Sequence, residues 1–307
     1  VENSDYWVQV TKNIEDNLSD KLHEELTKSF ISKKISILSR GLKQDLVLKT
    51  KVNEDNKVMV NDQYVGELKG LKFIIEFTSK TLDTDIKSIK KATKKGINKE
   101  LINRVEEIVK EKNISLENDN KIYWKKNPIA RIKKGHDYLN PDIEIIADDI
   151  IPKDSKEYLE SFIKNWLSKY IDEELGDLLN LTKIKINDQY LRALAFQIYE
   201  HNGIIKRKEI EQIIKLISKE ERKKLWNMGI KLGRYHVYLP KMLKPKAVSL
   251  RVKLWKLFYN MSSTTEIPKS GLNFIMNKNL NKKFLLLCGF ENFKDFFVRV
   301  DILEKLF

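Results

Sequence analysis

Apolar positions in the first part of the chain recur at helical spacing, and then the period changes. Leu18, Leu22, Leu26 and Phe30 stand four residues apart, which predicts a helix over Tyr6–Leu48 with one buried stripe. Ile31, Ile35 and Leu38 continue the stripe towards Gly41, a candidate stop. From Leu46 the alternation has a period of two. Leu46–Val52, Val58–Val60, Tyr64–Leu68 and Leu71–Phe77 read as strands, with Asn53–Lys57 as a polar turn and Gly66 and Gly70 at tight places. Asp85–Lys95 and Asn98–Lys112 read as two Lys-rich helices, the second capped by Asn98.

The strand pattern then returns. Asp119-Asn120-Lys121-Ile122 copies Asp55-Asn56-Lys57-Val58 at an offset of 64, and Ile129, Ala130 and Ile132 fall on Val65, Gly66 and Leu68. Ile143–Ile146 takes the place of the strand at Phe73–Ile75. This predicts a duplicated antiparallel module, each copy followed by helix. The competing reading is two Lys/Asn-rich hairpins that look alike by composition.

Downstream the period is helical again. Ser155–Leu181 is a long amphipathic helix whose Tyr158, Phe162, Trp166 and Tyr170 read as core residues. Asp188–His201 ends at Asn202-Gly203, a C-cap signal. Lys206–Ile217 reads as helix, and Ser218–Met228 opens with Ser218 and Glu221 as a capping box. Pro240 and Pro245 break Leu239–Lys246 into turns, and Ala247–Tyr259 is a basic helix with Leu250, Leu254 and Leu257 on its apolar face. Ser262–Lys269 is a polar linker, and Phe284–Phe307 forms a last small unit. The expected fold is α+β: predominantly helical, with two small duplicated antiparallel β modules and a basic C-terminal helical unit. The expected divisions are a helical lead-in over 1–45, the modules over 46–182, a basic helical bundle over 183–260 and a small unit over 261–307.

Composition narrows the class. At 307 residues, 41% apolar and 33% charged, the chain has room for two or three cores. No apolar run approaches the roughly 18 residues that cross a bilayer, and Val1–Lys12 lacks the apolar core of a signal peptide. Cys288 is the single cysteine, which excludes an internal disulfide framework and points to a reducing, cytoplasmic compartment. His23, His136, His201 and His236 lack ligand spacing, so no metal site is expected. The first residue is not Met, as expected of a piece of a longer protein.

The net charge of +14 is concentrated. Gly229–Asn260 holds eight Lys/Arg, namely Lys231, Arg234, Lys241, Lys244, Lys246, Arg251, Lys253 and Lys256, and no acid. Arg222–Leu285 holds fifteen against Glu266 alone, a local net of +14, so the other residues sum to zero. Tyr235, Tyr238, Trp255, Phe258 and Tyr259 are interleaved. A basic field with aromatics points to nucleic acid. Lys231, Arg234, Lys241, Lys244, Lys246, Arg251 and Lys253 are the candidate phosphate contacts, and Tyr235 and Tyr238 the candidate stacking residues, with core packing as their open alternative. The competing class is a protein-interaction scaffold whose basic unit docks an acidic partner.

No catalytic set emerges. The phosphate loop GxxxxGK[ST] is absent, and no Ser-His-Asp, Cys-His or paired-carboxylate spacing occurs. His23-Glu24 lacks the second histidine of a metalloprotease helix. Asp172-Glu173-Glu174-Leu175 has the composition of an ATPase acid box but sits late in a helix, not after an apolar strand. Leu232-Gly233-Arg234 lacks the flanking glutamine and arginine of a helicase arginine finger.

Five segments in order carry a resemblance: Leu18–Phe30 (LSDKLHEELTKSF), Val65–Phe73 (VGELKGLKF), Leu191–Ile198 (LRALAFQI), Gly229–Pro245 (GIKLGRYHVYLPKMLKP) and Val298–Leu306 (VRVDILEKL). The chain resembles the C-terminal half of the large helicase-related proteins of alphaproteobacteria, kin to the mitochondrial RNA-degradosome helicase of superfamily two. The likeness spans essentially the whole chain, and LGRYHVYLPKMLKP is its most specific piece. It implies RecA-like motor domains upstream that use ATP and Mg²⁺, with this chain as an accessory region that binds nucleic acid, RNA favoured. No cofactor is expected in the chain itself.

Overall fold

A computed structural model describes residues 4–42, 50–75, 83–183, 188–261, 273–275, 281–294 and 296–306. The lead helix α1 spans Ser4–Leu42. Its stripe is not buried as the spacing predicts, because Leu18, Leu22 and Leu26 are each at least half exposed. A step of four residues on a helix of 3.6 per turn advances about 40°, so the stripe winds away from any flat partner.

Strands β1 (Thr50–Val52), β2 (Lys57–Val60), β3 (Gln63–Lys69) and β4 (Lys72–Ile75) form an antiparallel meander in chain order. The chain then runs through α2 (Asp83–Glu111) into β5 (Ile114–Leu116), β6 (Lys121–Trp124), β7 (Asn127–Lys133) and β8 (Asp142–Ile145), a second meander of the same order. The ends of the first meander at 46–49 and 76–77 lie outside the described residues.

The duplication extends to single residue pairs. Thr50↔Val60, Val58↔Gly66 and Val60↔Gln63 in the first module correspond to Ile114↔Trp124, Ile122↔Ala130 and Trp124↔Asn127 in the second, all at the offset of 64. The register shift falls between Val58/Met59 in one and Ile122/Tyr123 in the other. A bulge places two consecutive residues towards the core, and Val65-Gly66 and Ile129-Ala130 are buried in succession. Both β2–β3 and β6–β7 close over two residues with positive φ, Asn61-Asp62 and Lys125-Lys126, the conformation that matches strand twist in a two-residue hairpin. Asn56 and Asn120, also 64 apart, share a positive φ.

The copies differ in one hairpin. β3 and β4 are joined by Gly70-Leu71 alone, with Gly70 at φ +57°, whereas β7 and β8 are joined by residues 134–141. The six additional residues shift the later equivalences to an offset of 70. Ile97, Leu101, Val105 and Ile108 of α2 then correspond to Leu167, Ile171, Leu175 and Leu178 of α3 (Lys153–Lys183), and all eight are buried.

Helix α2 is continuous, where the sequence predicts two helices meeting near residues 96–98. Gly96 lies inside it, and a Cβ there would sit 2.6 Å from the Thr50 side chain. An interior glycine costs a helix about 1 kcal/mol. Here it permits close approach to β1. Arg104 of α2 is buried and donates to the Leu68 and Gly70 carbonyls at 3.2 and 2.9 Å, to Asn56 Oδ1 and to Glu100 at 3.1 Å. It thereby supplies donors to the turn carbonyls that the first meander leaves open.

Two compact units divide the chain, each discontinuous: 1–131 with 145–160, and 132–144 with 161–307. The second holds the rest of α3 and then α4 (Gln189–Glu200), β9 (Ile204–Lys206), α5 (Glu211–Leu216), α6 (Lys219–Asn227), β10 (Lys231–Leu232), β11 (His236–Tyr238), α7 (Pro245–Phe258), β12 (Asn273–Ile275), α8 (Lys282–Leu287), β13 (Phe290–Phe293), β14 (Phe296–Arg299) and α9 (Val300–Leu306). The capping box at Ser218 and Glu221 is present as read, and Asp188 caps α4 by accepting from Leu191 N. Lys206–Ile217 is not one helix. Ile204–Lys206 pairs with β11 instead, and a 3₁₀ turn at Arg207–Glu209 leads into α5. None of the described helices is long and apolar enough to cross a membrane.

Gly66 and Ala130 occupy equivalent positions with unequal space. A Cβ on Gly66 would lie 2.3 Å from the Ile74 carbonyl oxygen. Gly66→Ala is expected to lower stability by about 1–3 kcal/mol through overpacking, against about 0.5–1 kcal/mol for Ala130→Gly, both read from urea denaturation.

Candidate nucleic-acid interface

The basic stretch folds as a hairpin, a proline-bounded turn and a helix. β11 is central in a three-stranded antiparallel sheet, with β10 and β9 on its two sides. The tight connection from β10 to β11 is Gly233-Arg234-Tyr235. The backbone N–H groups of Arg234, Tyr235 and His236 converge on one carboxylate, while that of Gly233 donates to the His236 carbonyl at 2.8 Å. Glu304 of α9 accepts from Arg234 N at 2.5 Å, Tyr235 N at 2.9 Å and His236 N at 2.6 Å. Successive amides of this kind form an anion-binding concavity, and the chain fills it with its own acid. Gly233 is required by contact: a Cβ would stand 2.3 Å from Glu304 Oε2 and 2.8 Å from the His236 carbonyl.

His236 is buried between two acids. Nδ1 lies 3.1 Å from Glu304 Oε1 and Nε2 lies 3.3 Å from Glu291 Oε2. Lys206 Nζ is 3.0 Å from Glu291 Oε1. Burial of Glu291 opposes its charged form, yet the bonds from His236 and Lys206 outweigh that and hold its carboxyl below the usual range.

The predicted contact residues separate into two groups. Lys231, Arg234, Lys241, Lys244 and Lys246 are exposed, and Lys253 is half-buried on α7. Lys241 is engaged by Asp177 of α3 at 2.8 Å. Tyr235 is half-buried beside Arg234, whose guanidinium carbon is 5.9 Å from the ring centre. Lys256 stands over Phe284 at 5.4 Å.

Arg251 and Tyr238 are corrected by the structure. Arg251 is fully buried. It donates to the carbonyls of Asn202 and, at 2.5 Å, Met242, tying α7 to two turns. Burial lowers its pKa to about 10, with Tyr138 acting the other way. Tyr238 packs with Ile204, Leu243 and Val300 in the core, so its ring presents no stacking face.

Two residues outside the basic stretch join the site. Arg207 and Lys208, with Lys206 and Arg234, border a cleft of about 490 Å³ that Tyr235 and Phe293 also line, together with the acids Glu211 and Glu291. Arg207 is fixed there by a 2.7 Å bond to the Gly233 carbonyl. Both lie upstream of the basic window, in the stretch whose sequence reads as helix. Pairing of β9 with β11 brings them to Arg234, a signal visible only in the non-local pairing. Among the described residues no group of three or more His, Cys, Asp or Glu side chains is placed to hold a metal ion. Comparison with family models, curated proteins and solved structures returns no match for the chain.

Glu304→Ala is expected to cost about 3–5 kcal/mol, the usual loss when one partner of a buried charged network is removed, measured by urea unfolding. For Glu291 the folded pKa is depressed. Its contribution is therefore present above its ordinary 4.5 and lost as pH falls below that value. The stability gap between wild type and Glu291→Gln should close on acidification through that range.

Proposed function

We propose that this chain is the accessory C-terminal region of an ATP-dependent superfamily-two helicase, binding nucleic acid, RNA in preference, and bracing motor domains that hold ATP and Mg²⁺. The observation that carries the nucleic-acid part is the convergence of Lys206, Arg207, Lys208 and Arg234 on one cleft beside Tyr235 and Phe293. The helicase part rests on the resemblance centred on LGRYHVYLPKMLKP.

Phosphate recognition here uses side chains, because Glu304 already occupies the backbone amides of the loop. Lys208 and Arg234 project at the cleft, while Lys244 and Lys246 flank Pro245 at the start of α7. The fixed φ of Pro240 and Pro245 limits the backbone freedom lost on binding. Contacts of this kind neutralise phosphates and release counterions without choosing sequence.

Two double variants test the reading by anisotropy titration of labelled oligonucleotides at rising salt. Lys208→Ala with Arg234→Ala, and separately Lys244→Ala with Lys246→Ala, should each weaken all sequences alike and flatten the salt slope by about 1.4, at about 0.7 per single-strand phosphate. All four residues are exposed, so stability should move by less than about 0.5 kcal/mol. Unchanged binding in both pairs would refute the interface. A protein that ignores oligonucleotides but binds an acidic polypeptide would be a docking scaffold instead.

A further inference from the structure

A second cleft, of about 600 Å³, opens in the same unit between the end of α7, the turn after α4 and the segment α8–β13. Its volume falls within the range of roughly 300–1,000 Å³ usual for small-ligand sites. We infer that this cleft is a pocket for an unpaired nucleobase, which makes single-stranded nucleic acid its ligand class. The inference rests on the nucleic-acid reading above and adds to it an adjoining place, sharing Lys206, Glu291 and Asn292 with the first cleft, where a base, not a phosphate, is held.

One wall is an aromatic platform. Trp255 and Tyr259 stand one helical turn apart with ring centres 5.0 Å from each other. Trp255 packs against the core cluster that contains Phe284 and Phe290, its ring 6.1 Å from that of Phe284. Tyr259 is 56% exposed although large and aromatic, an exposure that core packing does not require. A ring fixed on one side and open on the other is what a stacked base needs, and such stacking tolerates any base because each has a π-face.

The other walls sort base from phosphate. Glu200, Asn202 and Asn292 face the cleft and offer both donors and acceptors, the mixture a base edge presents. The walls bring three carboxylates, Glu200, Glu209 and Glu291, against one cation, Lys206, already paired with Glu291, whereas the first cleft sets four cations against two carboxylates; the backbone of a bound strand therefore belongs at the rim. There Lys282 and Lys283 are exposed and, among the described residues, have no ion-pair partner. In a duplex the base faces are stacked and the pairing edges occupied, so a recessed platform of this kind is reached only by an unpaired base.

The test uses the whole chain and three labelled probes of equal length: an oligoribonucleotide, the same backbone with abasic sites, and a blunt duplex. The base-bearing single strand should bind about five- to a hundredfold more tightly than the abasic one, the range one stacked base supplies. Tyr259→Ala should remove that preference while leaving abasic affinity unchanged, and Tyr259→Phe should retain it. Lys282→Ala with Lys283→Ala should weaken both single strands by the same factor. If Tyr259→Ala keeps the preference, or if wild type binds both strands equally, the pocket is overturned while the basic interface stands. If none of the probes binds, both fall.

Discussion

The carboxylate of Glu304 on three consecutive amides governs the geometry of the second unit. A charge-assisted bond to a backbone N–H is about twice as strong as a neutral one, and here three share one buried acid with an imidazole. The Glu304 carboxylate makes the β10–β11 connection rigid, and it makes Gly233 obligatory at the point of closest approach. Through His236 and Glu291 the same network fixes β13 against the sheet of β9, β10 and β11. Arg234 and Tyr235 project where they do because an acid 70 residues away holds their amides.

That arrangement changes the meaning of an acid-free stretch. Gly229–Asn260 contains no Asp or Glu, yet the folded chain brings Glu304, Glu291 and Asp177 to it. Arg251 contributes no surface charge at all. Its guanidinium is fully buried and directs its donors to two backbone carbonyls. The positive surface that remains is smaller than the residue count and differently centred. It includes Lys231, Lys244 and Lys246, and it extends to Arg207 and Lys208 through strand pairing.

Much of the duplicated part of the chain was legible in the sequence because duplication constrains it twice. The offset of 64 identified the core positions Val58, Val65 and Leu68 with Ile122, Ile129 and Ile132, and all six are buried. Local signals with a mechanism were also readable, such as the Ser218–Glu221 box and the stop at Asn202-Gly203, where both residues take positive φ. What escaped depends on distant partners. A three-residue strand at Ile204–Lys206 exists through β11, and three residues are too few to show a period. The burial of a helical stripe depends on what lies opposite, so Leu22 reads as core and is exposed. Gly96 reads as a break until Thr50 is seen beside it.

The interleaving of the two units along the chain bears on how the protein can be cut. Residues 132–144 belong with the chain beyond 160, and residues 145–160 belong with the chain before 132. A break after Arg131 leaves the first unit without its closing segment, and a break after Glu160 carries the hairpin extension away from the second. No single cut separates the two units: 1–160 holds the whole first unit but carries 132–144 of the second with it, and 132–307 holds the whole second unit but carries 145–160 of the first. During synthesis the first unit waits for Glu160 to emerge before its last segment is available, so the ribosome must translate past both β modules before either compact half can be completed.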